Sequence, residues 1–229
     1  MTDLALAALA WVLLHVVVAG PLRPALVGRL GLPAYRGLFS VLSIVALTAL
    51  IWTYREAPYV EFWATTSAVS AVPVVVMPVA LLLLVGSLRP NNPTSAGPDM
   101  LKRGKGEELP VGGFTKITRH PMLWAFSLWA ASHMIANGDL ATLLLAGAIL
   151  VTAVNGMFSI DRKRAATFGE SWQRFIAKTS ILPFAAVQAG RVKLRFSDIG
   201  WVNILGAAAL YAIFLWAHAI LFGVPAYHP

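Results

Sequence analysis

The sequence predicts an all-α protein: a polytopic membrane helix bundle of about six transmembrane helices with an amphipathic segment on its inner face. Three observations carry that expectation. Hydrophobic residues make up 58% of the chain and charged residues 12%, about half the charged share of a soluble domain; mean hydropathy is +0.72. Six apolar segments, 4–20, 37–54, 69–88, 121–136, 140–159 and 199–222, are each near the length that crosses a bilayer core. If the chain crosses at every one with its N-terminus outside, all but Arg55 of its 18 basic residues fall on the inner side. That bias sets orientation. It places the chain, read as one domain over 1–229, in a bacterial inner membrane with both termini periplasmic.

The elements follow in order. The first segment has only Asp3 before its apolar run and Pro21 directly after Gly20, so it reads as a retained helix and not a cleaved signal. Gly20, Pro21 and Pro24 stop it, and a short basic connection with Arg23, Arg29 and Arg36 follows. The second segment ends near Tyr54-Arg55-Glu56-Ala57-Pro58. Tyr59, Phe62 and Trp63 in the outer loop 55–68 are headgroup-level anchors. Pro73 and Pro78 predict a kink in the third segment, which neighbouring helices can accommodate. Residues 89–118 form a long inner loop rich in Pro, Gly and charge, a length that points to function or disorder. Pro121 opens the fourth segment at a position where its missing N–H costs little. Asn137-Gly138-Asp139 is a tight turn, making the fourth and fifth segments a hairpin. Within 161–198, Phe168, Trp172, Phe175 and Ile176 recur at helical spacing among Arg164, Arg174 and Lys178, which predicts a helix on the inner leaflet.

The formal charge of +8 is accounted for by this asymmetry and by attraction to anionic membrane lipids, so nucleic-acid binding is not expected. The chain has no cysteine, which removes disulfides, thiolate catalysis and thiolate metal ligands.

Candidate chemistry rests on histidine. His15, His133 and His218 lie inside apolar segments, and ionisable residues there are functional candidates by default; the plain alternative is a neutral imidazole bonded to a neighbouring helix. His15 follows Trp11 by four residues and His133 follows Trp129 by four, a spacing that shares a helix face. Two helices presenting Trp-x-x-x-His suggest an aromatic-lined cofactor site in a bundle core. Haem iron with two axial imidazoles is the natural guest. His15 and His133 sit at different expected depths, and His218 matches His133 better, so it stands as an alternative ligand. His120 is 13 positions from His133, about 20 Å of rise, and faces another way. At the inner interface Arg23 and Arg119 could hold propionates, because guanidinium binds carboxylate bidentately; ordinary positive-inside anchoring accounts for most other bases there.

Lys116-Ile117-Thr118-Arg119-His120-Pro121, Trp129-Ala130-Ala131-Ser132-His133, Phe168-Gly169-Glu170-Ser171-Trp172 and Thr179-Ser180-Ile181-Leu182-Pro183-Phe184-Ala185-Ala186 resemble the NnrU family of bacterial membrane proteins over essentially the whole chain. The likeness links the chain to denitrification and to the 15-cis-zeta-carotene isomerases, haem b membrane proteins. It implies ligation by His15 and His133, and isomerase or redox chemistry on a hydrophobic small molecule. The Cys of the plant enzymes near the second ligand is Ala130 here, which speaks against a thiolate switch. A wider resemblance joins Arg119-His120-Pro121 and Phe168-Gly169-Glu170 to isoprenylcysteine carboxyl methyltransferases, which use S-adenosylmethionine. Where those enzymes carry a Glu pair, this chain reads Ile160-Asp161-Arg162, so methyl transfer ranks second. A third reading is a non-enzymatic haem-linked factor supporting denitrification.

Overall fold

Proline and glycine placement sets the helix starts, and a computed structural model describes residues 1–88, 92–94 and 107–227. Helix α1, Thr2–Leu13, runs into a π turn at Leu14–Val18, and α2 spans Arg23–Leu30. Pro24 falls in the first turn of α2, where its fixed φ favours the helix. The connection expected between the first two segments is therefore itself helical, bent 75° from Thr2–Val18. Gly31, at φ 77°, ends α2 and precedes α3, Leu32–Arg55. Next come α4, Ser67–Ser87; a 3-10 turn, Gly113–Lys116; α5, Pro121–Asn137; and α6, Leu140–Phe168. Helices α7, Glu170–Lys178, α8, Ala185–Gln188, and α9, Phe196–Ile199, lead to α10, Trp201–Phe222.

All six apolar segments are helical. Among the described residues four helices, α3, α4, α6 and α10, are long and apolar enough to cross a membrane, or five if the bent α1–α2 pair counts as one span. Helix α5 has 17 residues. The basic residues Arg89, Lys102, Arg103 and Lys105 of the inner loop, and His228, lie outside the described residues.

The chain divides into two compact units, Met1–Pro73 with 130–156, and Val74–Trp129 with Met157–Tyr227. In the first, Leu4 and Ala8 of α1 pack on Leu50 of α3 and on Ala141 and Ala148 of α6. Without a water-driven force between helices in lipid, small residues matter because they let backbones approach closely. The outer loop closes on the hairpin turn: the backbone at Glu61 pairs with that at Asp139 in an isolated antiparallel β-bridge, and Trp63 Nε1 donates to the Ile135 carbonyl at 3.0 Å. Gly138, at φ 62°, is required there, because an added Cβ would sit 2.3 Å from the Trp63 carbonyl oxygen.

In the second unit, Leu83, Phe114, Ile117 and Ala125 form one cluster. Phe114 lies against Gly86, where a Cβ would come within 2.2 Å of its ring. Helix α4 continues through Pro73 and Pro78. Pro78 has no N–H to give the Val74 carbonyl four residues earlier, and the Tyr211 hydroxyl of α10 donates to that carbonyl at 2.8 Å. The amphipathic segment also forms, but protein covers its apolar side. Phe168, Trp172 and Phe175 are buried with Leu109, and Val111 packs against them. Residues 107–111 therefore take the place that the sequence left to the bilayer surface.

Candidate functional site

The π turn builds the main candidate site, in the first unit. The carbonyl of Trp11 accepts from the Leu14 N–H and, at 2.9 Å, from His15 Nδ1. A carbonyl can only accept, so Nδ1 carries the proton and Nε2 keeps its lone pair. The ring is held between aromatics: Trp11 at 3.9 Å and Phe39 of α3 edge-on at 5.4 Å, between centroids. Tyr35 stacks on Phe39 at 6.0 Å, lies 5.9 Å from the Arg23 guanidinium and donates to the Val18 carbonyl at 3.4 Å. Trp11 is fixed from its other side, with Nε1 donating to Thr152 Oγ1 of α6 at 3.1 Å. Gly20 closes the turn: a Cβ there would meet the Val16 carbonyl oxygen at 2.1 Å.

Of the residues expected from sequence, the fold thus gathers Trp11, His15 and Arg23. Tyr35, Phe39 and Thr152 are additions. Tyr35 and Phe39 carry the same four-residue spacing as Trp11 and His15, so a shared face on the next helix was readable. Thr152 had no sequence signal.

His133 lies on α5 in the same unit. Its Nδ1 is 3.4 Å from Ser132 Oγ, and its carbonyl accepts from Asn137 Nδ2 at 2.8 Å. Trp129 precedes it by four residues, on the same face of α5 by spacing. His218 belongs to the second unit, where Nδ1 donates to the Val224 carbonyl at 2.7 Å and the ring lies 4.9 Å from Phe222. It helps fasten the end of α10.

Arg119 and His120 form a different kind of centre, in the second unit, at the start of α5. His120 is 1% exposed, and its Nε2 meets Asp161 Oδ1 of α6 at 2.8 Å. Arg119 Nε lies 3.1 Å from Asp161 Oδ2, while its Nη1 donates to the Thr179 carbonyl at 3.4 Å. Both carboxylate oxygens of Asp161 therefore face internal partners, and Arg119 is engaged within the protein. His120 Nδ1 is buried without a hydrogen-bond partner. Burial holds the His120 pKa below the ordinary imidazole value, outweighing Asp161, which acts to raise it. Among the described residues no group of three or more His, Asp or Glu is placed to hold a metal ion.

The fold and this geometry define a helical, multi-pass type of membrane protein, with an imidazole boxed by aromatics at a break in its first helix. The chain belongs to the NnrU family: residues 3–226 match the family described as NnrU protein. It is similar to 15-cis-zeta-carotene isomerase, chloroplastic, of Zea mays, at 29% identity over 82 residues, 36% of this chain and 22% of that protein. It is also similar to 15-cis-zeta-carotene isomerase, chloroplastic, of Arabidopsis thaliana, at 26% identity over 114 residues, 48% of this chain and 31% of that protein. The matched segments thus span less than a third of these relatives' own length. No solved structure matches.

Proposed function

We propose that this chain is a membrane-embedded haem b protein that uses His15 and His133 as ligands and acts as an isomerase on a hydrophobic, polyene-type substrate. The observation that carries the reading is the His15 ring itself. Its Nδ1 proton is committed to the Trp11 carbonyl, and such a bond orients a metal-ligating imidazole and fixes its tautomer. Donor chemistry therefore fits a haem iron at Nε2, and the rings of Trp11 and Phe39 give an apolar surround suited to a porphyrin. Haem b would supply a metal centre able to change oxidation state and to act as a Lewis acid toward a carbon–carbon double bond. Arg23 offers a charge near the site that a propionate can pair with. The substrate class follows from the named activity of the maize and Arabidopsis relatives, and it suits a chain whose spanning helices expose mainly apolar side chains. The charge asymmetry of the sequence supports a bacterial inner membrane with the N-terminus outside.

The test is the visible spectrum of the detergent-purified protein, oxidised and dithionite-reduced, with a pyridine haemochrome assay and incubation with a cis-polyene. A stoichiometric b-type spectrum lost in His15→Ala and His133→Ala supports the reading. Absence of a chromophore after expression with haem precursor ends it and makes S-adenosylmethionine binding the next measurement. The methyl-transfer reading gains no support at Asp161, whose two oxygens are already engaged by His120 and Arg119.

A further inference from the structure

We infer that residues 178–201 form a headgroup-binding surface for anionic phospholipid at the Trp201 end of α10. The inference is independent of haem. Four large apolar side chains in this stretch stand open: Leu182 is 64% exposed, Phe184 45%, Phe196 54% and Trp201 66%. Phe196 and Trp201 pair edge-on at 4.8 Å. The same stretch carries Lys178, Arg191, Lys193 and Arg195, all exposed, against one acid, Asp198. That acid is neutralised within the protein, 2.8 Å from Lys116 Nζ and accepting from the Arg195 N–H. Burial pushes the Asp198 pKa up, but these bonds outweigh it and hold the carboxyl below its ordinary value. The surface therefore keeps its positive field at the level where a helix able to span begins.

Backbone conformation adds a second argument. Phe184 has φ 63°, a region that glycine enters freely and a bulky residue only under strain. The strain is held by two bonds: the Phe184 N–H donates to the Ile117 carbonyl at 2.7 Å, and its own carbonyl accepts from the Gln188 N–H at 2.9 Å. A glycine would satisfy both bonds without strain, and the phenyl ring held there instead is 45% exposed, with its open side turned away from the fold. An exposed aromatic beside bases is the combination that inserts at a bilayer interface while pairing with phosphate. Arg191 is set apart from the other bases because its Nη1 also donates to the carbonyls of Ile176, Ala177 and Thr179.

The experiment reconstitutes the full chain in phosphatidylcholine vesicles and reads the immobilised fraction of spin-labelled phosphatidylglycerol against spin-labelled phosphatidylcholine. A base near an anionic surface contributes roughly a fivefold preference, so the unmodified protein should favour phosphatidylglycerol by at least that factor. The combined variant Lys178→Gln, Lys193→Gln, Arg195→Gln should bring the ratio near unity. Phe184→Gly, which suits the backbone, should lower the immobilised fraction while leaving the melting temperature unchanged or raised. Equal immobilisation of the two lipids by the unmodified protein, or an undiminished ratio in the triple variant, overturns the inference. So does displacement of the lipid by inorganic phosphate, which would make the ligand a soluble anion. Light scattering that finds a dimer dissociated by Phe184→Gly assigns the surface to a second copy of the chain and overturns it too.

Discussion

His15 and His120 are two histidines on first-rank structural features, and they are held in opposite ways. His15 gives its one proton to a carbonyl of its own helix and keeps Nε2 available. His120 directs Nε2 at a carboxylate and is sealed at 1% exposure. The first leaves open the nitrogen that the proposed haem would use. The second joins α5 to α6 within its unit, sharing Asp161 with Arg119. The difference shows that burial and hydrogen-bond partners, more than residue type, decide which ring nitrogen an imidazole leaves open.

The contrast can be broken most directly by exchange of roles. His15→Ala should eliminate haem retention while leaving the protein folded, and His120→Ala should leave the haem spectrum while lowering the melting temperature; the pyridine haemochrome assay and thermal melts in detergent separate the two. Asp161→Asn strands the guanidinium of Arg119 and should cost roughly 3 kcal/mol, read from the same melts, with bound haem per folded chain unchanged. A normal melt for that variant would remove the structural role of the cluster. Gly20→Ala places a Cβ against the Val16 carbonyl oxygen, so it should disrupt the π turn and weaken haem binding while Gly28→Ala, with nothing near its Cβ, should not; haem titration of the two variants decides this.

Acid should act on the second centre. His120 has its pKa lowered from 6.5, first by burial, so the folded state favours the neutral ring. Its contribution is present above the unfolded value and is lost as pH falls below 6.5 toward the folded value. Melting temperature should fall over that window, and His120→Gln should flatten the fall. The smallest effect belongs to Thr152→Val, which removes the acceptor of the Trp11 indole bond at a cost of about 1 kcal/mol. It should broaden or shift the haem absorption band without loss of haem.

Several features were legible from sequence because they rest on local rules. The apolar segments became helices, and the Asn137-Gly138-Asp139 turn joined α5 to α6 as glycine at positive φ permits. Trp11 and His15 came together because four residues bring side chains to one helix face. The amphipathic pattern at Phe168, Trp172 and Phe175 was real, but a pattern states only that a face must be covered. Whether lipid or Leu109 covers it depends on a segment 59 positions earlier than Phe168.

Sequence by itself determined the helical class, the membrane character, the turn positions and the Trp11–His15 face, since each follows from hydropathy and the fixed pitch of one helix. Tertiary structure decided the rest. It made a helix of Arg23–Leu30, gave the orphan Val74 carbonyl to Tyr211 and brought Phe39 to the His15 ring. It also closed Asp161 between Arg119 and His120. These are long-range choices of hydrogen-bond partner: an unsatisfied group away from water must find a partner somewhere, and only the packed chain determines which one comes within reach.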